Sequence, residues 1–207
     1  MPNKDKVAIG NIHPLFPIIV HQFEIEDFEN IKDDLLEYVY GERENDPKGI
    51  WRSNSGGGWH SQNNYHEFEN VLNRVLQKNL ERYFLNQDIF KSSVDPHIVG
   101  LWININGKGN YNIKHMHPEC HLSGTLYLKV PENSGEIELL SPNQFSQWDE
   151  MTVYSDQFKD KSNCYPTYKF PPHEAMIIMF PGNLLHRVNE NKSEGERISV
   201  AFSIDFK

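Results

Sequence analysis

The densest run of reactive side chains in the sequence is Lys114-His115-Met116-His117-Pro118-Glu119-Cys120-His121. Side chains two apart on a strand point to the same face, so a strand through this segment would aim His115 and His117 at one ion. Imidazole ligates Fe, Zn, Cu and Ni, and geometry with availability selects among them. A third ligand has to come from another strand. His186 is placed for that role: in Leu184-Leu185-His186-Arg187-Val188 it shares a face with Leu184 and Val188 and is expected to point inward. A single histidine in such a strand is ordinarily a core residue with its polar atoms satisfied; the upstream pair makes it a ligand candidate. Glu119 adds a carboxylate at the next in-phase position, and two histidines with one carboxylate on one face is a recurrent mononuclear iron arrangement. On spacing alone, His115 with His117 and His117 with Glu119 are both admissible pairs. Pro118 breaks strand regularity and begins a turn, which takes His121 out of phase. His13, His21, His66, His97 and His173 read as scattered surface or turn residues.

The elements that must position these groups change character near Asp95-Pro96. Before that point apolar residues recur every three or four positions. Ile25, Phe28, Ile31, Leu35, Tyr38 and Val39 predict a helix over 25–40, capped by Asp27 and stopped by Gly41. A second helix over 66–84 carries Phe68, Val71, Leu72, Val75, Leu76, Leu80, Tyr83 and Phe84. Beyond Pro96 the pattern turns to short strands over 99–106, 122–130, 136–140, 175–180, 184–189 and 197–206. Turn signals such as Asn106-Gly107-Lys108-Gly109 and Pro181-Gly182-Asn183 separate them. Strands without intervening helices predict a sandwich or small barrel, and helices that precede the strands exclude a doubly wound sheet. The expected architecture is a mainly β, jelly-roll domain: residues 1–95 as helical N-terminal support, residues 96–207 as the jelly-roll core. The stretch 144–168 is polar and irregular, with Trp148, Tyr154, Tyr165 and Tyr168 scattered in it, and reads equally as a substrate lid or a surface excursion.

Bulk properties narrow the function classes. A net charge of −9 over 207 residues argues against a broad electrostatic grip on nucleic acid or anionic lipid. Cys120 and Cys164 cannot form a disulfide framework and are expected as free thiols. The best early apolar run, Leu15 to Val20, is too short to span a bilayer, and no secretory signal pattern is visible. A cytoplasmic protein without a membrane partner is the expectation, its oligomeric state open.

An ordered set of motifs then resembles a family of 2-oxoglutarate/Fe(II) oxygenases common in phages and bacteria. The set comprises His115-Met116-His117-Pro118, then Leu122-Ser123-Gly124-Thr125-Leu126-Tyr127-Leu128, then Phe180-Pro181-Gly182-Asn183-Leu184-Leu185-His186-Arg187-Val188, and last Arg197-Ile198-Ser199-Val200-Ala201-Phe202. Upstream, Gly56-Gly57-Gly58-Trp59 is similar to the family's Gly-Gly-Trp segment. The resemblance implies a double-stranded β-helix, a cupin-like jelly-roll, with Fe(II) as metal and 2-oxoglutarate as cosubstrate. Its pattern carries His-x-His-Pro and no acid at Glu119, and so favours His115, His117 and His186 as ligands.

Such an enzyme needs a cation for the distal carboxylate of 2-oxoglutarate. Arg197, eleven positions after His186, fits, with Ser199 on the same strand face and Tyr127 as a further contact. Asn104 or Asn106 are weaker candidates for the metal-bound end. Residues 54–61 read either as a glycine-hinged flap, with Trp59 and His60 facing substrate, or as a plain turn. The implied activity is hydroxylation of a peptide side chain or small molecule, with release of succinate and CO2. Two other classes fit part of the pattern: a three-histidine Zn-dependent hydrolase or lyase, and a non-catalytic cupin-like binding module.

Overall fold

Alternation of apolar and polar residues from residue 96 onward builds two antiparallel sheets in the computed structural model, which describes residues 15–63, 70–86, 91, 94–143 and 154–207. In chain order the elements are β1 (His21–Glu24), α1 (Phe28–Asn45), β2 (Asn54–Ser55), β3 (Trp59–His60), α2 (Val71–Asn86), β4 (Pro96–Asn106), β5 (Tyr111–His115), β6 (Leu122–Lys129), β7 (Ile137–Leu140), α3 (Asp156–Ser162), β8 (Thr167–Phe170), β9 (Met176–Pro181), β10 (His186–Val188) and β11 (Arg197–Phe206). The larger sheet runs β1-β9-β6-β11-β4-β3, and the smaller runs β2-β5-β10-β7-β8.

The pleat gives the larger sheet two chemically different faces. Ile198, Val200, Phe202 and Ile204 of β11, with Leu101, Ile103 and Ile105 of β4 and Ile177 and Met179 of β9, form one apolar face. It packs against Phe28, Leu35 and Val39 of α1 and Leu72, Leu76, Leu80 and Phe84 of α2. The spacing of four along α2 keeps its stripe on that sheet. The other face looks toward the smaller sheet. At one end it is apolar, where Met176, Ile178, Phe180 and Tyr127 meet Ile137, Leu139 and Leu184. At the other end it is polar: Trp102, Asn104, Thr125, Arg197 and Ser199 line a cleft between the sheets. Polar side chains on the inner face of a sandwich forgo core packing, and that end is where ligand chemistry belongs.

The mainly β architecture with N-terminal helices matches the sequence expectation, and β11 has the expected bounds. Several boundaries differ. Helix α1 passes through Gly41 to Asn45, and the backbone N–H of Asp46 closes it on Glu42. Asp27 precedes the helix in a left-handed conformation (φ 57°) and caps it through its backbone carbonyl, which accepts from Asn30, with no side-chain cap. The second helix starts at Val71, and the expected residues 66–69 lie outside those described. The region before residue 96 contributes strands as well as helices, since β1 and β3 extend the larger sheet and β2 the smaller. In the stretch 144–168, residues 144–153 lie outside those described, while the remainder holds α3, capped by the Ser155 hydroxyl, and the start of β8. His21 is not a surface residue: it is buried, and its Nδ1 bonds the Tyr83 hydroxyl at 2.9 Å.

Gly124 lies at the centre of β6, facing the main core, and a Cβ there would fall 2.5 Å from Phe202 Cζ and 2.9 Å from Met179 Cγ. Both neighbours are fully buried, so neither has room to yield. Gly124→Ala should therefore destabilise the fold by about 1–3 kcal/mol through overpacking, read as a lowered urea midpoint with unchanged m-value.

Candidate functional site

Strand β10 brings the histidines together through its register. His186 lies directly across from His115 on β5, and Val188 across from Asn112. Three residues of β10 thus span four of β5. The extra residue is a β-bulge, a device that re-aims side chains beside functional sites, and it lets Asn112 and His115 both line the cleft. His117 lies beyond the end of β5, in a turn closed when its backbone N–H donates to the Gly182 carbonyl (2.7 Å) and its own carbonyl accepts from Cys120 N–H (3.4 Å).

The ring centroids of His115 and His186 are 4.3 Å apart, those of His115 and His117 5.0 Å, and those of His117 and His186 5.2 Å. One nitrogen from each of the three rings lies within 4.8 Å of the others, close enough to hold one metal ion. Glu119 is exposed and outside this group, which is the one such triad of histidine, cysteine or acidic residues among the described residues.

Local hydrogen bonds orient two of the rings. His115 Nδ1 bonds the Ile113 carbonyl at 2.7 Å, and His186 Nδ1 bonds the Leu184 carbonyl at 2.9 Å. A carbonyl only accepts, so each Nδ1 carries the proton and each Nε2 presents its lone pair, as metal-ligating histidines do. Burial lowers the proton affinity of all three. Desolvation, with the other histidines adding to it, takes His117 down to about 4 and His186 to about 3, and His115 is lowered mainly by burial. All three are neutral at pH 7.

Across the cleft, β11 presents Arg197, only 1% exposed. Its Nη1 donates to the carbonyls of Ser134, Gly135 (3.1 Å) and Asn189 (3.3 Å). The loop before it is tied down by Asn191, whose amide donates to the carbonyls of Asn106 (2.7 Å) and Gly195 (2.8 Å). No carboxylate forms an ion pair with Arg197 among the described residues, and its Nε is buried without a partner. Burial disfavours the guanidinium's charge and the nearby Glu136 offsets this only in part; an anion in the cleft would relieve the rest. Tyr127 and Asn104 both lie across from Ser199 in the sheet, and all three line the cleft with Arg197. Burial pushes the Tyr127 hydroxyl up to about 12 against the pull of Arg197, so it stays a neutral donor. The buried Asn104 Oδ1 has no partner among the described residues.

The predicted candidates thus share one cleft: His115, His117 and His186 chiefly from the smaller sheet, Arg197, Ser199 and Tyr127 from the larger. Asn106 is not part of its lining. Residues 54–61 strap the two sheets together, with Asn54 paired to Asn112 and His60 to Asn104. Trp59 does not face substrate; it is buried in the main core, and its indole N–H donates to the Asp46 carbonyl at 2.9 Å. His60 is buried with its ring parallel to Trp102 at 6.0 Å. Trp102 itself escaped the sequence reading. Its ring lies 5.3 Å from that of His117, and its place two residues before Asn104 on the same strand face was the available signal.

Residues 100–203 match the family model described as "Putative 2OG-Fe(II) oxygenase". No curated protein gives a significant sequence match. Among solved structures, the non-haem α-ketoglutarate-dependent carbocyclase SnoK of nogalamycin biosynthesis superposes with a TM-score of 0.64 at 11% identity, over 89% of this chain and 78% of that one. A prolyl hydroxylase from Trichoplax adhaerens, solved with a hypoxia-inducible-factor peptide, gives 0.61 at 11% identity, over 90% and 83%. For an oxidoreductase of the 2OG-Fe(II) oxygenase family from Burkholderia pseudomallei the figures are 0.48 and 18%; the match covers 65% of this chain, which spans 56% of that one. At these identities the first two likenesses are of fold, the double-stranded β-helix.

Two outcomes follow. An unfolded chain's histidines take up protons near pH 6.5, whereas folded His117 and His186 resist until about 4 and 3. Below 6.5 the unfolded state binds more protons, so stability falls with pH. The urea midpoint of metal-free protein should be flat above pH 7 and drop as pH falls from 6.5 toward 4. Replacing His117 and His186 by alanine should flatten that slope. Gly182 tests positioning: a Cβ would come 2.5 Å from the His117 carbonyl oxygen and 2.4 Å from that of Cys120. Gly182→Ala should displace the His117 turn and weaken metal binding roughly 10- to 100-fold, measured by competition with a chelator.

Proposed function

The chain belongs to the 2OG-Fe(II) oxygenase family, whose members use Fe(II) and 2-oxoglutarate, and from that premise we propose that it hydroxylates a peptide side chain or small molecule, releasing succinate and CO2. The observation that carries the reading is the pairing, in one cleft, of three convergent neutral imidazoles with a buried arginine that has no acidic partner among the described residues.

The donor set fits the group the family uses. His115, His117 and His186 would hold the iron. Three neutral ligands leave its double positive charge unbalanced, which the dianionic cosubstrate would offset. Arg197 would take the distal carboxylate, with Ser199 and Tyr127 donating hydroxyls to it. Asn104 would meet the metal-proximal end. When bound, iron with 2-oxoglutarate and O2 supplies the oxidation that converts C–H to C–OH. The protein's part is to fix the donors, exclude water and hold the substrate bond near. A three-histidine zinc hydrolase would account for the imidazoles but leave Arg197 without a role. Both a natural-product carbocyclase and a hydroxylase solved with a peptide share the fold, so neither substrate type is favoured on fold alone.

Arg197→Ala should retain Fe(II) but bind 2-oxoglutarate roughly 10- to 100-fold more weakly, the loss expected for a charge-assisted pair. His186→Ala should lose both. Anaerobic titration followed by the visible absorption of the Fe(II)–2-oxoglutarate complex reads the two separately. Unchanged 2-oxoglutarate affinity in Arg197→Ala would remove the cosubstrate assignment, and absence of succinate formation by the wild type would remove the proposed activity.

A further inference from the structure

Polar atoms without a hydrogen-bond partner gather around the buried cation of the cleft. Arg197 Nε, both amide atoms of Asn106 and the Ser134 hydroxyl are all buried and unpartnered among the described residues. Each such atom gives up water on folding without a replacement, a cost that native structures rarely leave standing. Ser134 already touches the guanidinium through its backbone carbonyl, which accepts from Nη1. Asn106 reaches it through the sheet. Strands β4 and β11 pair so that Asn106 lies directly across from Arg197, as Asn104 does from Ser199. Residues directly opposite in an antiparallel pair share a face, their Cβ atoms about 5 Å apart.

Trp102, Asn104 and Asn106 alternate along one face of β4. Trp102 is the end of that row beside His117, and Asn106 is the end beside Arg197. Asn106 thus belongs to the distal-carboxylate end of the site, not to the metal-bound end expected from the sequence. It is 1% exposed, and its backbone is fixed by the Asn191 amide, which donates to its carbonyl at 2.7 Å. Its side chain has room because residue 58 is glycine: a Cβ there would fall 2.8 Å from Asn106 Nδ2.

The shape of the guanidinium gives the amide its task. Nη1 is committed to the carbonyls of residues 134, 135 and 189, which leaves the edge made by Nε and Nη2. A neutral acceptor at Nε would hold that edge and keep the positive charge for an incoming anion, whereas a carboxylate there would cancel it. Glu136, the acid whose charge reaches Arg197, is the weakest of the influences on it and accepts from the Asn189 amide at 3.2 Å. The terminal torsion of an asparagine is soft, so Asn106 can turn Oδ1 toward Nε. Resting on the function proposed above, we propose that Asn106 is a positioning residue for the cosubstrate. Its Oδ1 accepts from Arg197 Nε when the distal carboxylate of 2-oxoglutarate engages the guanidinium. Asn106 acts through Arg197 alone, so it serves only 2-oxo acids that carry a distal carboxylate.

The test is anaerobic titration of Fe(II)-loaded protein with 2-oxoglutarate and with 2-oxopentanoate, which offers iron the same 2-oxo acid group but ends in a methyl. Visible absorption of the chelate reads both, and the ratio of the two affinities isolates what the distal carboxylate contributes. The wild type should prefer 2-oxoglutarate. In Asn106→Leu, which keeps the volume without the acceptor, the ratio should fall roughly tenfold, through weaker 2-oxoglutarate binding with 2-oxopentanoate binding unchanged. In Asn106→Asp, whose carboxylate competes for the guanidinium, it should fall further, and this variant carries the test if the leucine variant does not fold. Equal weakening of both acids, the mark of a merely structural role, overturns the proposal, as does an unchanged ratio. A wild type that does not distinguish the two acids removes the assignment of Arg197 to the cosubstrate, and this proposal with it; a wild type that does, with variants that match it, removes this proposal alone.

Discussion

Two short antiparallel strands, β5 and β10, carry the constraint on which the site depends, because their register decides whether His115 and His186 meet. A slip of one residue would turn every side chain of β10 to the opposite face, sending His186 outward and Arg187 in. Several features hold the register. Strand β10 is paired on both sides, with His186 also across from Leu139 on β7. Leu184 and Phe180 anchor its entry in the core, and Phe180 meets the His186 ring edge-on at 4.7 Å. On the outer face Arg187 grips Glu138 with two hydrogen bonds of 3.0 Å.

The two sheets divide the chemistry. The smaller one gathers neutral nitrogen donors, and the larger one supplies the buried positive charge and the hydroxyls. This separation lets desolvation act in one direction on both. Burial keeps the imidazoles unprotonated and available, while the carbonyls of residues 134, 135 and 189 orient the guanidinium without neutralising it. Gly135 is required there, since at φ 88° a Cβ would meet the Asn189 carbonyl oxygen at 2.2 Å. A cleft so arranged sets neutral donors opposite one buried cation, inside a protein whose net charge is −9.

Much of this was legible in the sequence where one period dominates. The alternation Arg197-x-Ser199-x-Ala201 in β11 announced both the strand and its polar inner face, and α2 was visible through its spacing of four. The three histidines do lie together, but for a partly different reason than strand periodicity. His115 and His117 do not share a regular strand: one ends β5 after a bulge, and the other lies in a turn fixed by contact with Gly182. Bulges and turn closure depend on partners far along the chain and leave no periodic trace. The two-residue strands β2 and β3 are too short to carry a pattern, and nothing in the neighbouring residues signals that Trp59 packs into the main core and donates to the Asp46 carbonyl. Gly41 failed to stop α1 because glycine only weakens a helix interior, and tertiary contacts, among them the Arg43–Glu196 ion pair at 2.6 Å, hold the last turn.

On the proposed function, a metal is held by three imidazoles and no carboxylate, with 2-oxoglutarate reaching back to Arg197. A crystal structure of protein loaded anaerobically with Fe(II) and 2-oxoglutarate tests it most directly. Iron should be bonded to Nε2 of His115, His117 and His186, with the distal carboxylate on Arg197. A carboxylate oxygen from Glu119 in the coordination sphere, His115 left unbound, or a cosubstrate turned away from Arg197 would contradict it.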